Sequence, residues 1–294
     1  MSEAKIYSQG YTTYDGPRTG LMGAVKSLQK QSLRQALGMG RSARHKVIPV
    51  LVILIAYVPV IIFVGVAVLA KIAGDVFLEL AQELIPSYAD FYNIINFAIV
   101  ALSAFIIPDL LCSDRRNGML GVYLASTLDR LRYILGKAWA SLVILFTVIF
   151  GPPFLLLIAL SLQNLGPENF SEWIETFGKI IVASTVIGIF YVLIALAISS
   201  FTDRKSIATI SFLALVLGSS IISGIFESVD LSSKFRLMNL YSLSLRLAQR
   251  IFGEEGGWGY FENSTTSIWL AWGVVVSLCV GLIWFQYRRM LVQR

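Results

Sequence analysis

Residues able to do covalent or acid–base chemistry are few and scattered in this chain. His45 is the single histidine and stands between Arg44 and Lys46, where an imidazole faces solvent or lipid headgroups. Cys112 and Cys279 lie in different segments with no CxxC spacing, which leaves them as reduced thiols, with neither a disulfide nor a zinc site. The stretch "GLMGAVKS" from Gly20 to Ser27 approaches a phosphate-binding loop. Val25 stands where a glycine must precede Lys26 for the backbone to wrap the phosphates, so the match fails. The apolar segments hold no HExxH and no Ser/His or Asp/Asp arrangement, and their centres carry no Asp, Glu, Lys, Arg or His. Proton relays and ion pathways use such buried groups. The chain is expected to be no enzyme, with no cofactor or metal of its own, and to lack its own energy source.

The elements around these residues belong in lipid. Of 294 residues, 56% are hydrophobic and 14% charged, against about 25% charged in soluble domains, and the mean hydropathy is +0.72. Six apolar runs, at about residues 47–70, 91–111, 138–162, 177–200, 207–226 and 266–287, are each long enough to cross the roughly 30 Å of bilayer hydrocarbon as a helix. The expected fold is therefore an all-α polytopic membrane protein: a 1–46 N-terminal segment, one six-span domain over 47–287 and a 288–294 tail. The polar, basic first forty-odd residues lack the apolar core of a cleavable signal, so the first span is expected to serve as its own insertion signal.

Lys and Arg distribute unevenly between the two sets of flanks. The N-terminus, 112–137, 201–206 and the C-terminus together hold eighteen of the 24 basic residues. By the positive-inside rule both termini are cytoplasmic, in a cell (plasma) membrane. The pI of about 9.3 is then a mark of topology, with no nucleic acid partner implied. Lys26, Lys30 and Arg34 recur at i, i+4, i+8, with Leu21, Val25 and Leu28 near another face, as in a helix lying among headgroups. Pro59 and Gly151-Pro152-Pro153 mark bends inside the first and third spans. On the opposite side, Leu240, Leu243, Leu247 and Ile251 share a helical face before the sixth span, the pattern of short re-entrant or interfacial helices. Asn96, Ser103, Thr147, Thr209 and Ser219 are the polar candidates for a pathway or, equally, for helix packing.

The segment between the second and third spans is longer than a turn needs. Over 113–135, Leu120, Leu124, Leu128, Leu131 and Leu135 recur at helical spacing, widened by Met119, Val122 and Tyr123. Arg115, Arg116 and Asn117 crowd one end, and Asp129, Arg130 and Arg132 form a second polar break. The pattern predicts a short amphipathic helix, a turn near 126–130, and re-entry at "YILGKAWA". A chain without a motor needs a surface that contacts one, and this segment is placed to supply it.

"IPDLLCSDRRNGMLGVYLASTLDRLRYILGKAWA" resembles the cytoplasmic signature of type-2 ABC transporter permeases, which have the type V exporter fold. Arg115, Gly118 and Leu120 match its Arg-x-x-Gly-x-Leu core, Leu124 through Arg130 its turn, and Gly136-Lys137 the opening of the third span. Asp114 alone represents the usual acidic residue beside the arginine, and Thr127 stands where proline is common. The resemblance implies a permease subunit of an ATP-driven exporter, paired with a second permease, identical or related, and with two ATPase subunits that bind the ATP and magnesium. It also implies that 113–131 is a coupling helix docking into the ATPase. Asp114, Arg115, Arg116, Gly118, Leu120, Tyr123 and Leu124 would form the docking surface, with Arg130, Gly136 and Lys137 as the re-entry hinge. The residues alone leave open a secondary transporter or channel without an ATPase, and a non-transporting scaffold or sensor that uses the 227–265 loop.

Overall fold

The computed structural model describes residues 20–39, 44–73, 84–125, 128–228, 233–254 and 264–289, without the side chains of Arg44, His45, Leu124, Glu227, Ser233, Lys234 and Phe235. The expected turn at Ser126–Thr127, the tail from residue 290 and most of the charged loop after the first span lie outside these residues. Among the described residues the chain is helical, with no strand. The helices are α1 (Gly20–Ala36), α2 (Arg44–Ala73), α3 (Tyr88–Arg116), α4 (Met119–Ala125), α5 (Arg130–Ile149), α6 (Gly151–Leu162), α7 (Phe170–Ser199), α8 (Lys205–Ser228), α9 (Leu240–Phe252) and α10 (Thr265–Arg289), with a 3-10 turn at Ser233–Met238 before α9.

Among the described residues, six helical stretches are long and apolar enough to cross a membrane: Lys46–Ala73, Tyr88–Arg116, Arg130–Leu162, Phe170–Ser199, Lys205–Phe226 and Thr265–Arg289. Many of their residues are β-branched and favour strands elsewhere. In hydrocarbon an unpaired backbone group costs several kcal/mol, and only a helix pairs them all within one segment. The spans at α3 and α7 are central, with 78% and 72% of their most apolar stretches buried, against 22% for α2, 22% for α8 and 17% for α10. Tyr92 and Tyr191 stand in that core. Tyr92 donates to the Ile180 carbonyl at 3.2 Å and shares a 3.0 Å bond with Ser184.

The third span is two helices, broken at Phe150. Pro152 and Pro153 cannot donate to the preceding turn but suit the start of a new helix. At this break the Tyr57 hydroxyl of α2 donates to the Thr147 carbonyl at 2.8 Å, a neighbouring helix satisfying disturbed backbone. Gly151 is required there, because a Cβ would lie 2.0 Å from the Tyr57 oxygen.

α9 packs against the bundle through one face. Asn239 caps it by accepting from the Tyr241 and Ser242 amides, and Gly253 ends it in the left-handed region. Leu243 and Leu247 are buried, and Leu240 and Ile251 pack partly buried against the same core. At the far end α1 buries Leu28, Ser32 and Ala36 in one stripe and exposes Lys26, Lys30 and Arg34.

A buried ion pair beneath a short helix: the candidate functional site

At the end of the bundle that carries α1 and α4, a cation and an anion meet away from solvent. α3 runs past its apolar stretch as far as Arg116, which places Asp114 in its last turn. A carboxylate is unfavourable at a helix C-terminus, and the positive charge that balances it comes from α5. Lys137 Nζ lies 2.7 Å from Asp114 Oδ2, with side-chain exposures of 0% and 7%. The Tyr133 hydroxyl donates to the same carboxylate oxygen at 3.0 Å. Lys137 also donates to Gln35 Oε1 at 3.4 Å, and Gln35 Nε2 donates to the Asp109 carbonyl at 2.9 Å, which ties in α1.

Aromatic rings close the node. Tyr123 of α4 packs on Tyr133 with centroids 5.6 Å apart, and Tyr133 lies 6.3 Å from Tyr287 of α10. Lys137 Nζ stands 5.9 Å from the Tyr123 ring and 5.8 Å from the Tyr133 ring, within reach of a cation–π attraction. Burial, and then the Asp114 carboxylate, push the Tyr123 hydroxyl above its ordinary range, so it stays neutral. A cavity of about 690 Å³ opens between α1 and α4 onto this node, bordered by Arg34, Gln35, Asp114, Asn117, Met119 and Tyr123.

Two further sets of contacts join the node to other helices. Arg115 pairs with Asp203 at 2.9 Å and donates to the Ser199 and Ser200 carbonyls, binding the end of α3 to the turn between α7 and α8. Lys205 lies 3.5 Å from Asp109, and the Cys112 thiol donates to the Thr202 carbonyl at 3.3 Å. Arg130, at the start of α5, donates to the Tyr287 and Arg288 carbonyls at 3.4 and 3.3 Å, capping α10.

α4 itself is seven residues long, and Gly118 sets it off from α3 by adopting a φ of +67°, which residues with a Cβ rarely take up. The turn exposes Arg116, Asn117 and Gly118. Leu120 and Tyr123 pack partly buried against the core, whereas Met119 is 40% and Val122 63% exposed. The outward apolar surface of α4 is thus Met119 and Val122, with Leu120 turned inward; the Leu124 side chain lies outside the described residues.

Gly136 and Lys137 sit within α5, which runs unbroken from Arg130 to Ile149. Gly136 leaves room for α1: a Cβ there would lie 2.8 Å from Leu28 Cδ2. The polar residues within the spans also have internal partners. Asn96 donates to the Tyr241 carbonyl at 3.1 Å and accepts from Tyr191 at 3.1 Å. Ser103, Thr147 and Thr209 donate to the carbonyls of Ile99, Ile144 and Ala104. Ser219 donates to the Val216 carbonyl and accepts the Leu240 amide. These bonds join helix to helix or turn to turn.

Gln35, Tyr133, Asp203 and Tyr287 did not stand out in the sequence, because each acts through a partner far along the chain. The one readable signal was Asp114 and Lys137 flanking a segment assigned to a single side. No curated protein matches the chain. A family model described as "ABC-2 family transporter protein" matches residues 4–285. With nearly its whole length covered and six apolar helices in place, the chain belongs to the ABC-2 transporter family as a membrane-embedded permease subunit.

Proposed function

We propose that this permease is driven by separate ATPase subunits, two per complex, that dock on the α3–α4 turn and on the outward face of α4. ATP and magnesium are bound by those partners, and the direction is export. A second permease, identical or related, completes the transmembrane part. The protein sits in the plasma membrane with both termini and the α4 end in the cytoplasm. The observation that carries this reading is α4: an apolar outward face, Met119 and Val122, lies directly over a buried ion pair that joins α1, α3 and α5.

In this scheme Arg116 supplies polar contacts at the rim and Met119 and Val122 the apolar anchors, which carry most of the energy in such docking. Leu120 and Tyr123 couple α4 to the helices beneath. Arg115, Arg130 and Lys137 pass the displacement to α7, α10 and α5, and Gly136 passes it to α1. Val122→Asp is expected to insert normally and to lose ATPase association at least about tenfold, the equivalent of about 1.4 kcal/mol. Pull-down of the co-expressed ATPase from solubilised membranes measures this. Full retention with Val122→Asp and Met119→Asp together would sink the docking assignment.

A further inference from the structure

A groove of about 440 Å³ runs along the flank of the bundle between α1, α5 and α7. Leu135, Leu142, Val192 and Leu193 make its walls apolar, and Gln29 and Arg132 are the polar side chains with the longest reach. Leu135 and Trp139 are exposed on this flank, so the groove faces lipid. From Arg132 to Leu142 α5 rises about 15 Å, at about 1.5 Å per residue. That is half of the roughly 30 Å hydrocarbon core, the depth of one leaflet's acyl chain.

Charge selects the occupant. Arg132 is half-exposed and pairs with Asp129 at 2.9 Å, and the Asp129 side chain is 74% exposed. Such exposed pairs are weak, whereas a phosphate can take a guanidinium in two parallel hydrogen bonds. Lys26 and Lys30 stand exposed on α1, next in sequence to Val25 and Gln29, which line the groove. A second copy of this chain would bring like charges to the same place.

We propose that this groove is a binding site for one anionic glycerophospholipid of the leaflet at the α4 end. One acyl chain lies between α5 and α7, and the phosphate is held by Arg132 and Gln29. The site requires only that the chain be membrane-embedded and does not depend on ATPase docking.

The test uses the full chain in vesicles of equimolar phosphatidylcholine and phosphatidylglycerol, with brominated acyl chains on one lipid or the other. Trp139 emission, taken as the difference between the wild type and Trp139→Phe, reports proximity. Brominated phosphatidylglycerol is expected to quench it severalfold more than brominated phosphatidylcholine. Arg132→Gln should bring the two to parity, Asp129→Asn should widen the preference, and Arg116→Gln should leave it unchanged. Parity in the wild-type chain would mean that the groove sees bulk lipid, and no quenching by either lipid would mean that another helix fills it. Either result overturns the proposal, as does a preference that survives Arg132→Gln. Native mass spectrometry of the detergent-extracted chain supplies a second reading, with phosphatidylglycerol retained by the wild type and lost from Arg132→Gln. Equal retention of both lipids by the wild type would again overturn it.

Discussion

Lys137 has no exposed side-chain surface and is balanced by the Asp114 carboxylate, so neither residue can be removed alone without stranding a buried charge. Lys137→Met is expected to lower stability by about 3–5 kcal/mol, the cost of breaking such a pair from one side. In the double variant Asp114→Asn, Lys137→Met most of that loss should return, because the charges vanish together and Asn still accepts from Tyr133. Denaturant unfolding of the solubilised chain compares the three. The residue types of this pair were visible in the sequence. Their pairing was not, because it depends on α3 continuing past its apolar stretch to carry Asp114 to the level of the second turn of α5. The inward turn of Leu120 was hidden for a similar reason: a stripe of leucines shows that a helix has an apolar face, while its neighbours decide which way that face points.

Between elements, close approach and hydrogen bonding set what each helix tolerates. Gly136→Ala places a methyl against the mobile end of Leu28, which can swing aside, so the cost should stay at or below about 1–3 kcal/mol. Gly136→Phe leaves no room and should lift α1 off α5. Maleimide labelling of a Ser32→Cys reporter, buried on the same stripe of α1, should rise in the phenylalanine variant and hold steady in the alanine one. At the opposite end, Ser87 both caps α3 and donates to Glu254 Oε2 at 2.7 Å, fastening the end of α9. Burial raises the Glu254 pKa above 4.5; Ser87 and Lys179 act against this and Asp90 adds to it. The folded state therefore holds a proton that the unfolded chain releases. The linked stabilisation is full below about pH 4.5 and is lost as pH rises through the folded value. Glu254→Gln should flatten that slope in thermal unfolding followed across the acid range. At this scale the six spans were legible, since lipid forces apolar runs into helices; the early start of α5 was not, because a charged stretch at a span end can extend a helix or leave it.

In the proposed scheme the molecule as a whole separates a docking surface from the framework beneath it. Val122→Asp alters the surface and leaves the Asp114–Lys137 pair intact. The Asp114→Asn, Lys137→Met variant does the reverse, so it should keep its ATPase while ATP hydrolysis by the assembled complex changes. Pull-down and hydrolysis assays on the same preparations check that contrast. The break at Phe150 divides the span that follows the proposed docking segment. α5 is a rod of 20 residues, about 30 Å long, and it ends at a joint stitched by a hydroxyl borrowed from α2. From that joint onward the second helix packs on α7 through the rings of Phe150 and Phe154 against Phe177, which itself stacks on Trp173. The third span is thus two helices, of 20 and 12 residues, each held by a different set of neighbours.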